Sequence, residues 1–254
     1  MNIRRLCAGL AAIVLLALEP AFAKSIDFDA ATIADINAAF DAGTLTAESL
    51  TQMCLARIAA FDRKGPSLHA VMTLNPKAVE QARALDVERK AKGRRSPLHG
   101  IPVVLKDNYD TFDMPTTGGS VLLEGSIPSK DAFVVKKLRD AGAIVLAKLN
   151  MSEFASGGTY SSLGGQSLNP HDLARGPSGS SGGTGVAVAA AYAPIGMGTD
   201  TGGSIRGPAT SNGIAALKPT HGLLSRSGII PLALSFDTGG PMARSVYDVA
   251  AALG

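Results

Sequence analysis

Between residues 30 and 63, apolar side chains recur every three or four positions: Ile33, Ile36 and Phe40, then Leu50, Met53, Cys54, Ile58 and Phe61. That spacing lines one face of a helix, and Gly43 between the two sets predicts two helices, with Thr46 placed to cap the second. A short strand is predicted at 69–74 and a charged helix at 77–92, stopped by Gly93. The texture then changes. Short continuous apolar runs at 101–105, 143–149, 195–198 and 214–217 alternate with helix-spaced stretches at 132–141 and 185–192. Strands apolar on both sides, separated by helices and bounded by glycines, predict an α/β fold whose sheet is covered on both faces. Residues 244–253 begin one more apolar helix pattern, and Gly254 ends the sequence with nothing after it to bury that face.

The first 23 residues form a different unit. Arg4 and Arg5 precede an apolar run over 6–18, and Ala21, Phe22 and Ala23 stand before Lys24. This order of charged, apolar and small residues predicts a secretory signal peptide over 1–23, cleaved after Ala23, and a periplasmic or secreted product. The run is shorter than the roughly 20 residues that span a bilayer, so no stable membrane association is expected after cleavage. The net charge of +3 falls by one when Arg4, Arg5 and Glu19 leave, which is too small to argue for a nucleic-acid partner. Cys7 leaves with the same segment, and Cys54, in a helix pattern, reads as core. His69, His99, His171 and His221 are scattered without ligand spacing, so no metal site is expected.

Candidate chemistry lies in two glycine-rich turns and one strand. Ser180 and Ser181 sit in the cluster Gly179 to Gly183, and Ser204 follows Asp200, Thr201, Gly202 and Gly203. Glycine lets backbone approach a ligand closely, so serines bracketed by it are placed for chemistry more often than for packing. Successive N–H groups ahead of a helix start can point at one anionic oxygen, which outlines an oxyanion hole at Ser204. Lys106 ends the apolar run at 101–105, on the face shared with Val104 and opposite Asp107. Desolvation there disfavours the ammonium form and would let the amine accept a proton. Other readings compete for the same residues. Gly179-Ser-Ser-Gly-Gly183 also fits the nucleophile elbow of an α/β-hydrolase esterase with Ser181 attacking, yet only His221 follows, too close for the strands that carry the acid and base. A dinucleotide loop at Gly196 and Gly198 lacks its third glycine, and no phosphate-binding Gly-Lys-Ser/Thr exists.

The stretches 100–108, 176–183 and 198–208, with Leu217-Lys-Pro-Thr220 and Gly240-Pro-Met-Ala-Arg244, closely resemble the amidase signature family of serine hydrolases. The resemblance covers nearly all of 24–254 and implies a mixed β-sheet with helices on both faces, incomplete at the C-terminus because family members are considerably longer. It implies Ser204 as nucleophile, Ser180 as a bridging serine after a cis peptide bond, and Lys106 as general base. The N–H groups of Thr201, Gly202, Gly203 and Ser204 would form the oxyanion hole, and Phe154 would border the acyl site. Ser178 stands where members commonly have glycine. The implied activity is hydrolysis of a small-molecule carboxylic amide, other than a peptide bond in a chain, with no cofactor. The abrupt end at Gly254 motivates one alternative, a truncated and inactive relic.

Overall fold

A computed structural model describes residues 27–254, so the expected signal peptide lies outside the described residues. The first two helices, α1 (Ile33–Asp41) and α2 (Ala47–Phe61), are separated at Gly43, whose φ of 69° suits glycine. The Thr46 side chain accepts from Ser49 N–H as the α2 cap. The β1 strand (Val71–Leu74) starts two residues later than the pattern predicts, because His69 takes a φ of 53° that extended backbone does not allow. Then come α3 (Ala78–Lys92), β2 (Pro102–Lys106), α4 (Phe133–Asp140) and β3 (Ile144–Leu149). A two-residue pair, β4 (Tyr160–Ser161) and β5 (Gly165–Gln166), precedes α5 (Gly182–Ala189) and β6 (Ile195–Asp200). The chain finishes with α6 (Arg206–Ser211), β7 (Ala215–Ala216), β8 (Thr238–Ala243) and α7 (Val246–Leu253).

Six strands form one mixed sheet in the order β1-β3-β2-β6-β8-β7. The central β3, β2 and β6 run parallel, while β1 joins β3, β8 joins β6 and β7 joins β8 antiparallel. Every residue of β2, β3, β6 and β8 is buried, as strands covered on both faces require. The covering follows the two-residue alternation along β6. Gly196 faces Thr184 and Val188 of α5, whereas Met197 lines a cleft with Phe133 and Leu138 of α4 and Ala251 of α7. Val104 lies beside Gly196 on the α5 face, which puts Lys106 on that face too.

Two elements differ from the pattern for reasons of packing. Helix α5 begins at Gly182 rather than 185, because a Cβ at Gly183 would overlap the Asn150 carbonyl oxygen just past β3; only glycine lets the helix come so close. It ends at Ala189 because Ala191 turns left-handed at φ 54°. The β8 strand reads Thr-Gly-Gly-Pro-Met-Ala, a composition poor in strand formers that the sequence marks only as a motif. It is a central strand because Gly240 admits the Leu217 carbonyl and Pro241 spends its carbonyl on Leu217 N–H. Cys54 is fully buried, and burial pushes its thiol up to about 12, so it is a core residue.

Candidate active site

The site forms where β2 and β6 end beside the turn before α5. Lys106, the last residue of β2, is fully buried. Its Nζ donates to Ser180 Oγ at 2.6 Å and contacts Thr199 Oγ1 at 2.8 Å and the Thr199 carbonyl at 3.4 Å. Among the described residues it forms no ion pair. Burial lowers its pKa to about 7, against a smaller opposing pull from Asp200 and Asp237. A lysine held there is substantially neutral near neutral pH and able to take a proton.

Ser180 is buried and follows a cis Gly179–Ser180 peptide bond. Ser178 ahead of it adopts φ 62°, the left-handed region that glycine enters freely. Ser181 belongs to the scaffold. Its hydroxyl donates to the Thr199 carbonyl at 3.1 Å and accepts Thr199 N–H at 3.2 Å, while its own N–H donates to the Ser204 carbonyl at 3.1 Å. A hydroxyl so engaged with the β6 backbone, buried and without a histidine partner, corrects the esterase reading. His221 instead contacts the Leu234 carbonyl.

Ser204 is half-buried in the turn between β6 and α6, and its hydroxyl makes no hydrogen bond among the described residues. The structure therefore joins Lys106 to Ser180, with Ser204 on the neighbouring turn and the Ser204–Ser180 link open. Asp200 shapes that turn. Its buried carboxylate accepts Gly203 N–H at 2.8 Å, Ile205 N–H at 3.0 Å, Arg206 Nε at 3.1 Å and Lys218 Nζ at 3.2 Å. Burial alone would raise its pKa, but the Arg206 guanidinium and these donors hold the carboxyl well below the usual carboxylate range. Of the four expected oxyanion donors, Gly203 thus has its N–H committed to Asp200. Those of Thr201, Gly202 and Ser204 donate to no protein group among the described residues. Thr201 is tethered from the other side by its hydroxyl, which donates to Asp237.

A narrow crevice lies beside this turn, lined by Asn108, Ala155, Thr199, Thr201, Ile230 and Asp237 among others. Phe154, next in the chain to the lining residue Ala155, does not itself line it; it adopts the left-handed region at φ 47°, its N–H donating to the Gly118 carbonyl and its ring near Gly118, as is Ile230. Behind the sheet, Asp107 pairs with Lys148 at 3.1 Å, both buried, and accepts from Thr117 N–H and hydroxyl. That pair anchors the loop carrying Gly118. Sequence reasoning assigned no role to Thr199, Asp200, Asp237 or Lys218. Asp200 had a usable signal, a carboxylate at a strand end ahead of Gly-Gly and Arg206, whereas Lys218 and Asp237 reach the turn only through the fold.

The family model named Amidase matches residues 49–254. A glutamyl-tRNA(Gln) amidotransferase subunit of Acidothermus cellulolyticus is 48% identical over 221 residues, covering 86% of this chain and 43% of that protein. The solved peptide amidase of Stenotrophomonas maltophilia superposes with a TM-score of 0.87 at 50% identity, covering 89% of this chain and 48% of that one. A fatty acid amide hydrolase superposes with a TM-score of 0.83 at 27% identity over 89% of this chain and 40% of its own. The chain thus spans a little under half the length of the relatives it matches. With the match running from α2 to the last residue and the mixed sheet shared across it, this chain belongs to the amidase signature family.

Proposed function

We propose that the protein hydrolyses a small-molecule carboxylic amide to the acid and ammonia or an amine, through an acyl-Ser204 intermediate. The observation that carries this reading is Lys106: buried, without an ion-pair partner among the described residues, depressed to about 7 and in contact with Ser180 at 2.6 Å. Neutral Lys106 takes the Ser180 proton as Ser180 takes that of Ser204. The Ser204 oxygen bonds to the amide carbon, and the carbonyl π pair moves onto its oxygen. The N–H groups of Thr201, Gly202 and Ser204 receive that oxyanion, each such donor being worth on the order of 3 kcal/mol. The proton returns through Ser180 to the nitrogen, the C–N bond breaks, and water releases the acid by the same route in reverse.

The likeness to a peptide amidase supports peptide-derived amides as the first substrates to try. The amidotransferase likeness fits the same amide chemistry, but the predicted export segment favours a periplasmic or secreted enzyme over one that meets tRNA. The test is to treat the protein with a fluorophosphonate and map the adduct by peptide mass spectrometry. The expected adduct is on Ser204 and is absent from Ser204→Ala; an adduct on Ser181, or equal labelling of the variant, would refute the assignment.

A further inference from the structure

Two side chains outside the three-residue relay bear on how Lys106 holds its proton. Thr199 offers Nζ both a hydroxyl oxygen at 2.8 Å and a carbonyl oxygen at 3.4 Å. The carbonyl can only accept. A neutral amine has two N–H groups and one lone pair. If both Thr199 oxygens accept, the lone pair is left facing the Ser180 hydroxyl, as proton abstraction requires. If instead the Thr199 hydroxyl donates to Nζ, the lone pair is used and the Ser180 proton has nowhere to go.

Asn108 bears on which arrangement holds. Its Nδ2 donates to Thr199 Oγ1 at 3.1 Å and to the Ile230 carbonyl at 3.3 Å. Because the Ile230 carbonyl only accepts, it fixes which end of the amide points inward. Asn108 is buried, and its Oδ1 has no hydrogen bond among the described residues. Burying an unmet acceptor is unfavourable, so an amide kept there is explained by what its Nδ2 does. What it does is hold the Thr199 hydroxyl oxygen against Nζ.

We propose that Thr199 and Asn108 are positioning residues for Lys106: the two Thr199 oxygens hold two Nζ hydrogens so that the lone pair faces Ser180, and Asn108 locks the hydroxyl oxygen in place. The proposal rests on Lys106 being the base. Once Lys106 takes the proton, its three N–H groups meet three acceptors, Ser180 Oγ, Thr199 Oγ1 and the Thr199 carbonyl. The anionic groups that bear on Lys106 are Asp200 at the end of β6 and Asp237 ahead of β8. Asp107, next along the chain, pairs with Lys148 instead.

Lys106 can be titrated directly by NMR in protein carrying isotope-labelled lysine Cε. Thr199→Val keeps shape and carbonyl but removes an acceptor that favours the ammonium, so the Lys106 midpoint should fall by about one pH unit, and Thr199→Ser should restore it. Fluorophosphonate labelling of Ser204 should slow about tenfold in Thr199→Val, on the scale of a lost charge-assisted hydrogen bond. Asn108→Leu should slow it in the wild-type background and add nothing to Thr199→Val, because the two act through one contact. Should the valine not be accommodated, Thr199→Ala is titrated in its place. An unchanged Lys106 midpoint in the folded Thr199 variant overturns the proposal, and additive effects of Asn108→Leu overturn Asn108's part. Failure of wild-type Ser204 to label would count against the proposed function instead, since the titration is read without turnover.

Discussion

Asp200 organises the turn that carries Ser204, although the proposed proton relay does not pass through it. Its carboxylate takes N–H groups from Gly203 and Ile205 and side-chain donors from Arg206 and Lys218, which fixes the turn around Ser204. Asp200→Asn should therefore slow acylation of Ser204 and destabilise the fold by about 2 kcal/mol, the scale of a hydrogen bond to a charged group. The pH dependence has a definite sign. The folded pKa lies below the ordinary aspartate value of 3.8, so the stabilisation is fully present above that value and is lost as pH falls below about 4. Acid unfolding followed by circular dichroism should be steeper in the wild type than in Asp200→Asn; identical acid limbs would contradict the role. At this scale the sequence was most legible where chemistry depends on neighbours in the chain. The face that Lys106 shares with Val104 and the glycine-bracketed turn of Ser204 follow from alternation and turn composition, while their expected roles came only with the family resemblance. Thr199, Asn108 and Asp237 did not, because their roles depend on contacts across strands and loops.

The elements show the same division. Helices with three- and four-residue spacing and strands rich in Val, Ile and Leu announce themselves, and α1, α2, α3, β2 and β3 fall close to the predicted positions. The misjudged elements are those where glycine serves contact rather than turning. Gly182 opens α5 against Thr159 and Gly183 against Asn150 just past β3, and Gly239 and Gly240 build a strand between Tyr109 and Leu217. Such close approaches are invisible until the partner backbone is known. They are also exacting, since a methyl at Gly183 meets main-chain atoms of Asn150 that cannot rotate aside. Gly183→Ala should cost at least about 1–3 kcal/mol and displace Ser180 at the helix entry, lowering the melting temperature and Ser204 labelling together. A variant with unchanged melting and labelling would show that α5 has room the structure does not give it.

Across the whole molecule, the sheet brings three separated stretches to one point. Lys106 arrives on β2, Thr199 and Asp200 on the adjacent β6, and Ser180 on the turn into α5, which packs across both strands. The site's lysine is buried by this arrangement, and burial is what would let it serve as the proposed base; an exposed lysine of ordinary pKa would stay charged at neutral pH. Lys106 should therefore govern the reactivity of Ser204. The most direct test is the rate of Ser204 labelling by a fluorophosphonate against pH, in the wild type and in Lys106→Ala. With a pKa of about 7, the wild-type rate should rise with pH as the ammonium loses its proton and level off above that value. Lys106→Ala should lose that rising limb and react about a hundredfold or more slowly, the usual share of a general base. A variant that labels Ser204 at the wild-type rate with the same pH profile would contradict Lys106 as the base.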